Sequence, residues 1–166
     1  MKTQVKNFDA VVENLEIVRW KPKFATGIKI IDAQHRELVG LTNELYQACL
    51  VRDESIRTMF KDAMSRMVEY VRFHFSAENE LLEQIEFPDI LIHKKDHETL
   101  IMNILAAAKS YEEGNRLAPN TFVRILKDWI FGHIAVSDMY YSGFVAEQKK
   151  RGLLADLEFE QIKSGE

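Results

Sequence analysis

The sequence predicts an all-α protein, an up-and-down four-helix bundle with an N-terminal arm and a C-terminal extension. Long stretches carry apolar residues at spacings of three and four, which is the period of an amphipathic helix. Only 7 Gly and 3 Pro interrupt the 166 residues, and no stretch alternates apolar and polar residues as a strand does. Four amphipathic helices joined by short turns bury their apolar faces most simply by packing as a bundle.

N-cap signals mark the starts of the first two predicted helices. Asp32 is the expected cap of a first helix that runs to about Val51. Ser55 follows a polar break and is the expected cap of the second helix. Pro88 ends that helix, because proline cannot continue the backbone hydrogen bonds.

The last two predicted helices are joined by a glycine turn. A third helix is expected from about Ile90 to Glu113, with Gly114 as its C-terminal cap. Asn120 is the expected cap of the fourth helix.

The chain is predicted to form one domain with a segment at each end. We expect an N-terminal extension over 1–19, the bundle over 20–145 and a C-terminal extension over 146–166. Apolar residues in both extensions are expected to dock on the bundle or on another copy of the chain, since an exposed apolar patch favours association. They are Phe8, Val11, Val12, Leu15 and Val18 in the first, and Leu153, Leu154, Leu157 and Phe159 in the second.

Charge and composition argue against several classes of function. The 22 Lys+Arg and 26 Asp+Glu give a net charge of −4, and no run of like charges provides a surface for nucleic acid. We find no apolar run typical of a signal peptide or a membrane span. The single cysteine, Cys49, allows no internal disulfide and suits a reducing compartment. The expectation is a cytoplasmic protein with no membrane span and no nucleic-acid partner.

The strongest chemical signal is a set of histidines and carboxylates on the apolar faces of the predicted helices. The set is His35, His74, Glu78, His93, His97, His133 and Asp138. Two pairs are four residues apart and so share a helix face. His133 and Asp138 are five apart, about 140° around an ideal helix, so this pair needs a long reach or a local irregularity.

An up-and-down bundle brings these seven side chains to one end of the core. A lone histidine on an apolar face is more often an ordinary core residue. Five imidazoles and two carboxylates buried together without a metal would cost several kcal/mol for each unpaired group. The sequence therefore predicts a metal centre. Seven ligands exceed the need of one ion, so two ions bridged by carboxylates are expected.

The ligand types narrow the choice of metal. No thiolate is available among them, which argues against a zinc–cysteine or iron–sulfur site. Imidazole with carboxylate suits iron, and by ligand chemistry alone manganese and zinc are possible as well.

Four segments of the chain closely resemble hemerythrins, in particular the single-domain bacterial members. They are TGIKIIDAQHRELVGLTNEL, HFSAENELL, FPDILIHKKDHETL and WIFGHIAVSDMYY, and the resemblance runs from Trp20 to about Tyr141. It implies two iron ions, one held by His93, His97 and His133, the other by His35 and His74. Glu78 and Asp138 would bridge both, together with a solvent-derived oxo or hydroxo group. The five-residue spacing of the last pair is the family's own.

The resemblance implies reversible O2 binding, for oxygen storage, delivery or sensing, rather than an enzymatic activity. The iron with two histidines keeps an open coordination position, and a dry apolar pocket would protect the bound O2. We expect Trp129, Ile134, Leu100 and Ile101 as walls of that pocket. The alternatives are a di-iron oxidase or an enzyme that processes peroxide or nitric oxide, and an iron- or redox-sensing interaction module. Ferritin-like oxidases favour carboxylates with Glu-x-x-His spacing, which this chain lacks at these positions.

Overall fold

The computed structural model describes residues 15–51 and 55–152 and shows a bundle of four helices. They are α1 (Lys29–Val51), α2 (Ser55–Gln84), α3 (Ile90–Glu112) and α4, in which the stretches Ala118–Trp129, Ile130–Asp138 and Met139–Lys150 follow one another without a break. No strand occurs in the described ranges, so the predicted all-α class is confirmed.

The helices form a closed ring of neighbours. Each packs against the next one in the chain, and α4 also packs against α1. With short connections, this is the up-and-down order. It puts the starts of α1 and α3 at the same end of the bundle as the ends of α2 and α4. No helix in the described ranges is long and apolar enough to cross a membrane.

Asp32 is not the N-cap of α1, which begins at Lys29. It lies in the first turn, where its carboxylate accepts hydrogen bonds from the backbone N–H of Thr26 at 2.7 Å and of Gly27 at 3.2 Å. The Thr26 hydroxyl donates to the same carboxylate at 2.9 Å. A carboxylate near a helix N-terminus is also favoured by the helix dipole, so Asp32 holds the incoming chain against the helix it begins.

The turn between α3 and α4 confirms one cap and corrects another. Gly114 adopts a left-handed conformation with φ of 87°, which glycine tolerates best, and closes the end of α3 as predicted. Asn120 is not a cap, because α4 already begins at Ala118. Asn115 accepts the hydrogen bond of the Leu117 N–H at 2.9 Å instead.

Residues 15–28 form an arm that lies against α1. Val18 is buried, its N–H donates to Asn43 Oδ1 at 3.0 Å, and its carbonyl accepts from Asn43 Nδ2 at 2.8 Å. Phe24 is fully buried and makes edge-to-face contacts with Trp20 and Phe131. The arm thus contributes core residues, although residues 15–19 are not helical.

The boundaries of the two extensions stay predictions. Helix α4 continues across the expected boundary at 145/146 and ends at Lys150. The remaining apolar residues of the extensions lie outside the described residues: Phe8, Val11, Val12, Leu153, Leu154, Leu157 and Phe159.

The apolar core is divided into two clusters by a layer of polar side chains. In α1, His35 lies between Ile31 of the smaller cluster and Leu38 of the larger one. In α4, Asp138 lies between Ile134 of the larger cluster and Tyr141 of the smaller one. The polar layer is therefore enclosed by apolar packing on both sides.

Replacing the buried amide of Asn43 by alanine tests the attachment of the arm. Asn43→Ala leaves the N–H and carbonyl of Val18 without their partner, so we expect the free energy of unfolding to fall by about 2 kcal/mol. Gln47→Ala is the matched control, because Gln47 donates to the Leu15 carbonyl at the exposed surface; it should cost less than about 0.5 kcal/mol. Urea denaturation measures both, and equal losses would contradict this account of the arm.

Candidate metal centre

The structure brings all seven sequence-predicted donor side chains together in the polar layer. Helix α1 provides one, and α2, α3 and α4 provide two each, all at most 4% exposed: His35, His74, Glu78, His93, His97, His133 and Asp138. None of the seven points to solvent. The site thus depends on the packing of every helix in the bundle.

The donor atoms form two overlapping groups. One consists of Glu78, His93, His97 and His133, and the other of His35, His74 and Glu78. Within each group the ligand atoms lie within 4.8 Å of one another. We call these the three-histidine group and the two-histidine group. Glu78 belongs to both.

The second carboxylate, Asp138, places one oxygen beside each group. Its Oδ2 lies 3.2 Å from Nε2 of His35, and its Oδ1 lies 3.0 Å from Nε2 of His133 and 3.8 Å from that of His93. A carboxylate that faces two groups of imidazoles with different oxygens has the geometry of a bridge between two ions.

Asp138 reaches this position because α4 widens into a π-helix over Ile130–Asp138. Hydrogen bonds in a π-helix join residues five apart, and such segments are frequent at functional sites. His133 and Asp138 are five apart, so the π-helix puts them on one face, whereas an α-helix would separate them by about 140°. This segment is the local irregularity that the spacing required.

Several buried donor atoms of the site have no hydrogen-bond partner. Nε2 of His97, Nε2 of His133 and both oxygens of Asp138 are in this state. A buried polar atom left unpaired costs about 1–3 kcal/mol. In the two-histidine group, Nε2 of His35 and Nε2 of His74 face each other at 3.3 Å. Adjacent ligand atoms around an ion with bonds of about 2.1 Å lie about 3 Å apart. The donor set therefore fits a metal centre.

The protonation states of His74, His97 and Glu78 also suit metal binding. Burial lowers the pKa of His74 to about 3 and lowers that of His97, which keeps both imidazoles neutral. Burial by itself would raise the pKa of Glu78, but the nearby imidazoles of His74, His93 and His97 hold that pKa well below its ordinary value. Neutral imidazoles and an ionised carboxylate are the forms that ligate cations.

Two polar side chains that the sequence analysis did not identify support the donors. The Tyr141 hydroxyl donates to Oε1 of Glu78 at 2.6 Å. Oε1 of Gln34 lies 2.9 Å from Nδ1 of His74, so an N–H at Nδ1 leaves the lone pair on Nε2, toward the site. Tyr141 follows Asp138 by three residues and shares its helix face, a signal in the sequence. Gln34 reaches across to another helix, which spacing along the chain does not reveal.

Aromatic rings cover three of the imidazoles. Phe75 stacks on His97 with centroids 3.6 Å apart, Trp129 on His133 at 3.7 Å, and Tyr70 on His74 at 4.6 Å. The sequence analysis missed Phe75 and Tyr70. Tyr70 precedes His74 by four residues, so the shared face of α2 could have indicated it. These rings restrict the orientation of the imidazoles and exclude water from one side of them.

The four residues expected to form the walls of the pocket lie in two places, beside the three-histidine group and in the surrounding apolar core. Trp129 and Leu100 line a cleft of about 370 Å³ that also contains His133 of the three-histidine group. Ile134 is fully buried in the larger apolar cluster, and Ile101 packs against that cluster. Their role as walls of an oxygen pocket stays a prediction.

Comparisons with known proteins agree with this geometry. The family model "Hemerythrin HHE cation binding domain" matches residues 26–144, which include all seven donors. The chain is 27% identical over 128 residues to a bacteriohemerythrin of Stenotrophomonas maltophilia (77% of this chain, 81% of that protein). A bacteriohemerythrin of Pseudomonas aeruginosa is 27% identical over 122 residues (74% and 77%). A hemerythrin-like protein of Naegleria gruberi is 26% identical over 124 residues (75% and 90%).

Removing the metal should lower the melting temperature. A ligand at a hundredfold excess over its Kd stabilises the native state by about 2.7 kcal/mol, which for a domain of this size corresponds to roughly 5–10 °C. Calorimetry of chelator-treated and Fe2+-loaded protein measures the difference. Mg2+ is the control ion and should give no shift, because it prefers oxygen ligands and retains its waters. Identical melting of the apo and Fe2+-loaded forms would contradict a metal centre in the core.

Proposed function

The chain belongs to the hemerythrin family, and on this premise we propose that it binds O2 reversibly at a non-haem centre of two iron ions. The observation that carries the proposal is the division of the donors into a three-histidine and a two-histidine group that share Glu78 and Asp138. Imidazole with carboxylate is a ligand set that suits iron. Two such ions supply both the electrons and the open coordination position that reversible O2 binding requires.

The unequal groups give the two ions different environments. In the proposed assignment, His93, His97 and His133 hold one ion, and His35 and His74 hold the other. Glu78 and Asp138 would serve both ions. The two-histidine group offers one imidazole fewer, so the ion held there would be the one that supplies the O2-binding chemistry.

The protein's own contribution is to keep the O2 site dry and its ligands fixed. Tyr70 stacks on His74, and Phe75 makes a tilted ring contact with the same imidazole at 5.7 Å. Tyr70 is 8% exposed and Phe75 is 5% exposed. On the other side of the polar layer, Leu81 and Leu82 are fully buried. We propose that this enclosure limits the access of water and protons, so that O2 leaves unchanged.

The groups around the site favour a carrier over an oxidase. An oxidase needs an acid to protonate the oxygen atoms while the O–O bond breaks. The Tyr141 hydroxyl already donates to Oε1 of Glu78 at 2.6 Å and so is not directed at a bound oxygen, and the buried Tyr70 contacts the donors through its ring, which stacks on His74. We therefore propose an oxygen-binding protein for storage, delivery or sensing.

A cytoplasmic location agrees with Cys49, a buried free thiol whose pKa burial raises to about 11.

The first test of this proposal is the iron content. Protein reconstituted with Fe2+ should retain two irons per chain after desalting. His35→Ala should reduce the content toward one, because it weakens only the two-histidine group. Metal analysis beside protein quantification gives the ratio. One iron per chain in the wild type, or zinc at full occupancy after growth in iron-rich medium, would overturn the di-iron assignment.

The second test is the reversibility of O2 binding. Reduced protein exposed to air should develop a visible charge-transfer absorption band and lose it under inert gas, over repeated cycles. Glu78→Ala and Asp138→Ala should abolish the band, because each removes a bridge between the groups. Glu80→Ala is the matched control, since Glu80 is an exposed carboxylate on α2, the helix that carries Glu78.

An oxygen electrode, with a reductant present, separates the carrier from an oxidase. A carrier takes up O2 in proportion to protein and then stops. Continued consumption at rates typical of enzymes, on the order of 1–10³ per second, would contradict the proposal in favour of a di-iron oxidase.

A further inference from the structure

Two clefts at the surface between α3 and α4 reach the three-histidine group. The larger has a volume of about 370 Å³ and ends on His133, and the smaller has about 230 Å³ and ends on His93. Asp96 and Ser137 line both clefts, and the Ser137 hydroxyl donates to Asp96 Oδ2 at 3.3 Å. The clefts therefore meet at one polar pair above the metal centre.

The larger cleft has the chemistry of a path for cations. Apart from His133 and Trp129, its polar lining consists of oxygen-bearing side chains. Thr99, Asn103 and Asp128 are exposed at the mouth, and Asp96 and Ser137 are half-buried closer to His133. Asp89 adds a third carboxylate in the smaller cleft. Among the residues that the structure describes, no lysine or arginine lines either cleft. Carboxylates in a cleft concentrate cations and raise their association rate, whereas O2 gains nothing from them.

The inner end of the larger cleft has an unpaired nitrogen. Nδ1 of His133 makes no hydrogen bond, and the residue is only 4% exposed. Asp96 Oδ2 lies 3.6 Å from this nitrogen, which is beyond hydrogen-bond distance. Before the centre is filled, the His133 tautomer with its N–H on Nε2 leaves the lone pair on Nδ1, so that Nδ1 and the Asp96 carboxylate form a transient pair of ligands for an arriving ion.

Gly132 lies in the π-helical segment and lines the larger cleft beside His133. It borders open space, because a Cβ at this position would meet no atom within 4 Å.

We propose that the larger cleft is the entry route of ferrous iron to the metal centre, with Asp128 and Asp96 as the carboxylates that attract the hydrated ion and guide it to His133. The proposal rests on the proposed function for the identity of the metal. It also explains why the cleft ends at the three-histidine group. In the assignment above, O2 would bind at the two-histidine group, so a route to the three-histidine group serves the ion itself.

The test is the rate at which apoprotein takes up iron. Apoprotein is mixed anaerobically with Fe2+ at low ionic strength, quenched at set times with a ferrous chelator and desalted, and its bound iron is counted. The double variant Asp96→Asn/Asp128→Asn should load at least about threefold more slowly than the wild type. The difference should shrink near 1 M salt, where the Debye length is about 3 Å. The final iron content should not change.

Three further variants separate the cleft from the overall charge. Glu69→Gln/Glu80→Gln removes two negative charges from exposed positions on α2 outside the clefts, and should load like the wild type. Asn103→Lys places a positive charge at the mouth without touching Asp96 or His133, and should slow loading as well. Ser65→Lys is its control on the surface of α2.

The outcomes distinguish this proposal from the proposed function. If the double variant and Asn103→Lys load at the rates of their controls while all proteins reach the same iron content, the cleft is not the route. If the wild type never retains two irons or does not bind O2, the proposed function fails whatever the loading rates are. Slower loading in both cleft variants, with unchanged final content and O2 binding, supports the route.

Discussion

The burial of seven metal-binding side chains in one layer of a small helical bundle is the constraint on which the rest of the structure depends. Each of these groups would lose free energy on leaving water unless a partner replaced the lost hydrogen bonds. The bundle cannot provide those partners from its own residues, as the unpaired Nε2 atoms of His97 and His133 show. The apolar core is consequently divided, with Leu38 on one side of the layer and Ile31 on the other. A bound metal turns this layer from the least stable part of the core into a link between all four helices.

The spacing of the donors explains why α4, unlike the other three helices, contains a π-helical segment. On α2 and α3 the donors are four residues apart, which an α-helix places on one face. On α4 they are five apart, and only the π-helical segment Ile130–Asp138 aligns them. The same segment sets the register of the α-helix that follows. Tyr141 therefore faces the layer and donates to Glu78 at 2.6 Å, so one local change positions both Asp138 and the hydroxyl that supports the other carboxylate.

The sequence predicted those features that depend on spacing along one helix and missed those that depend on contacts between helices. Apolar periodicity was enough to predict four helices. The spacing of the histidines and carboxylates indicated that these seven side chains lie together and that α4 is irregular between His133 and Asp138. The N-cap expected at Asp32 was wrong, because its carboxylate bonds to the preceding loop rather than to the helix start. Gln34 was missed because it contacts His74 of another helix. Trp129 precedes His133 by four residues, so spacing along α4 could have indicated their contact, whereas no spacing along one helix indicates that Phe75 of α2 covers His97 of α3.

The unequal division of the histidines between the two groups is compatible with two opposite requirements on the same polar layer. For the function that we propose, the centre would have to admit a hydrated cation, which needs a polar path, and to hold O2 away from water, which needs an apolar enclosure. Both clefts end on histidines of the three-histidine group, His133 and His93. The imidazole of His74, in the two-histidine group, is instead covered by the buried ring of Tyr70. In the proposed assignment the side of the layer that the polar clefts reach therefore belongs to the three-histidine group, and the side enclosed by apolar side chains belongs to the two-histidine group, where O2 would bind.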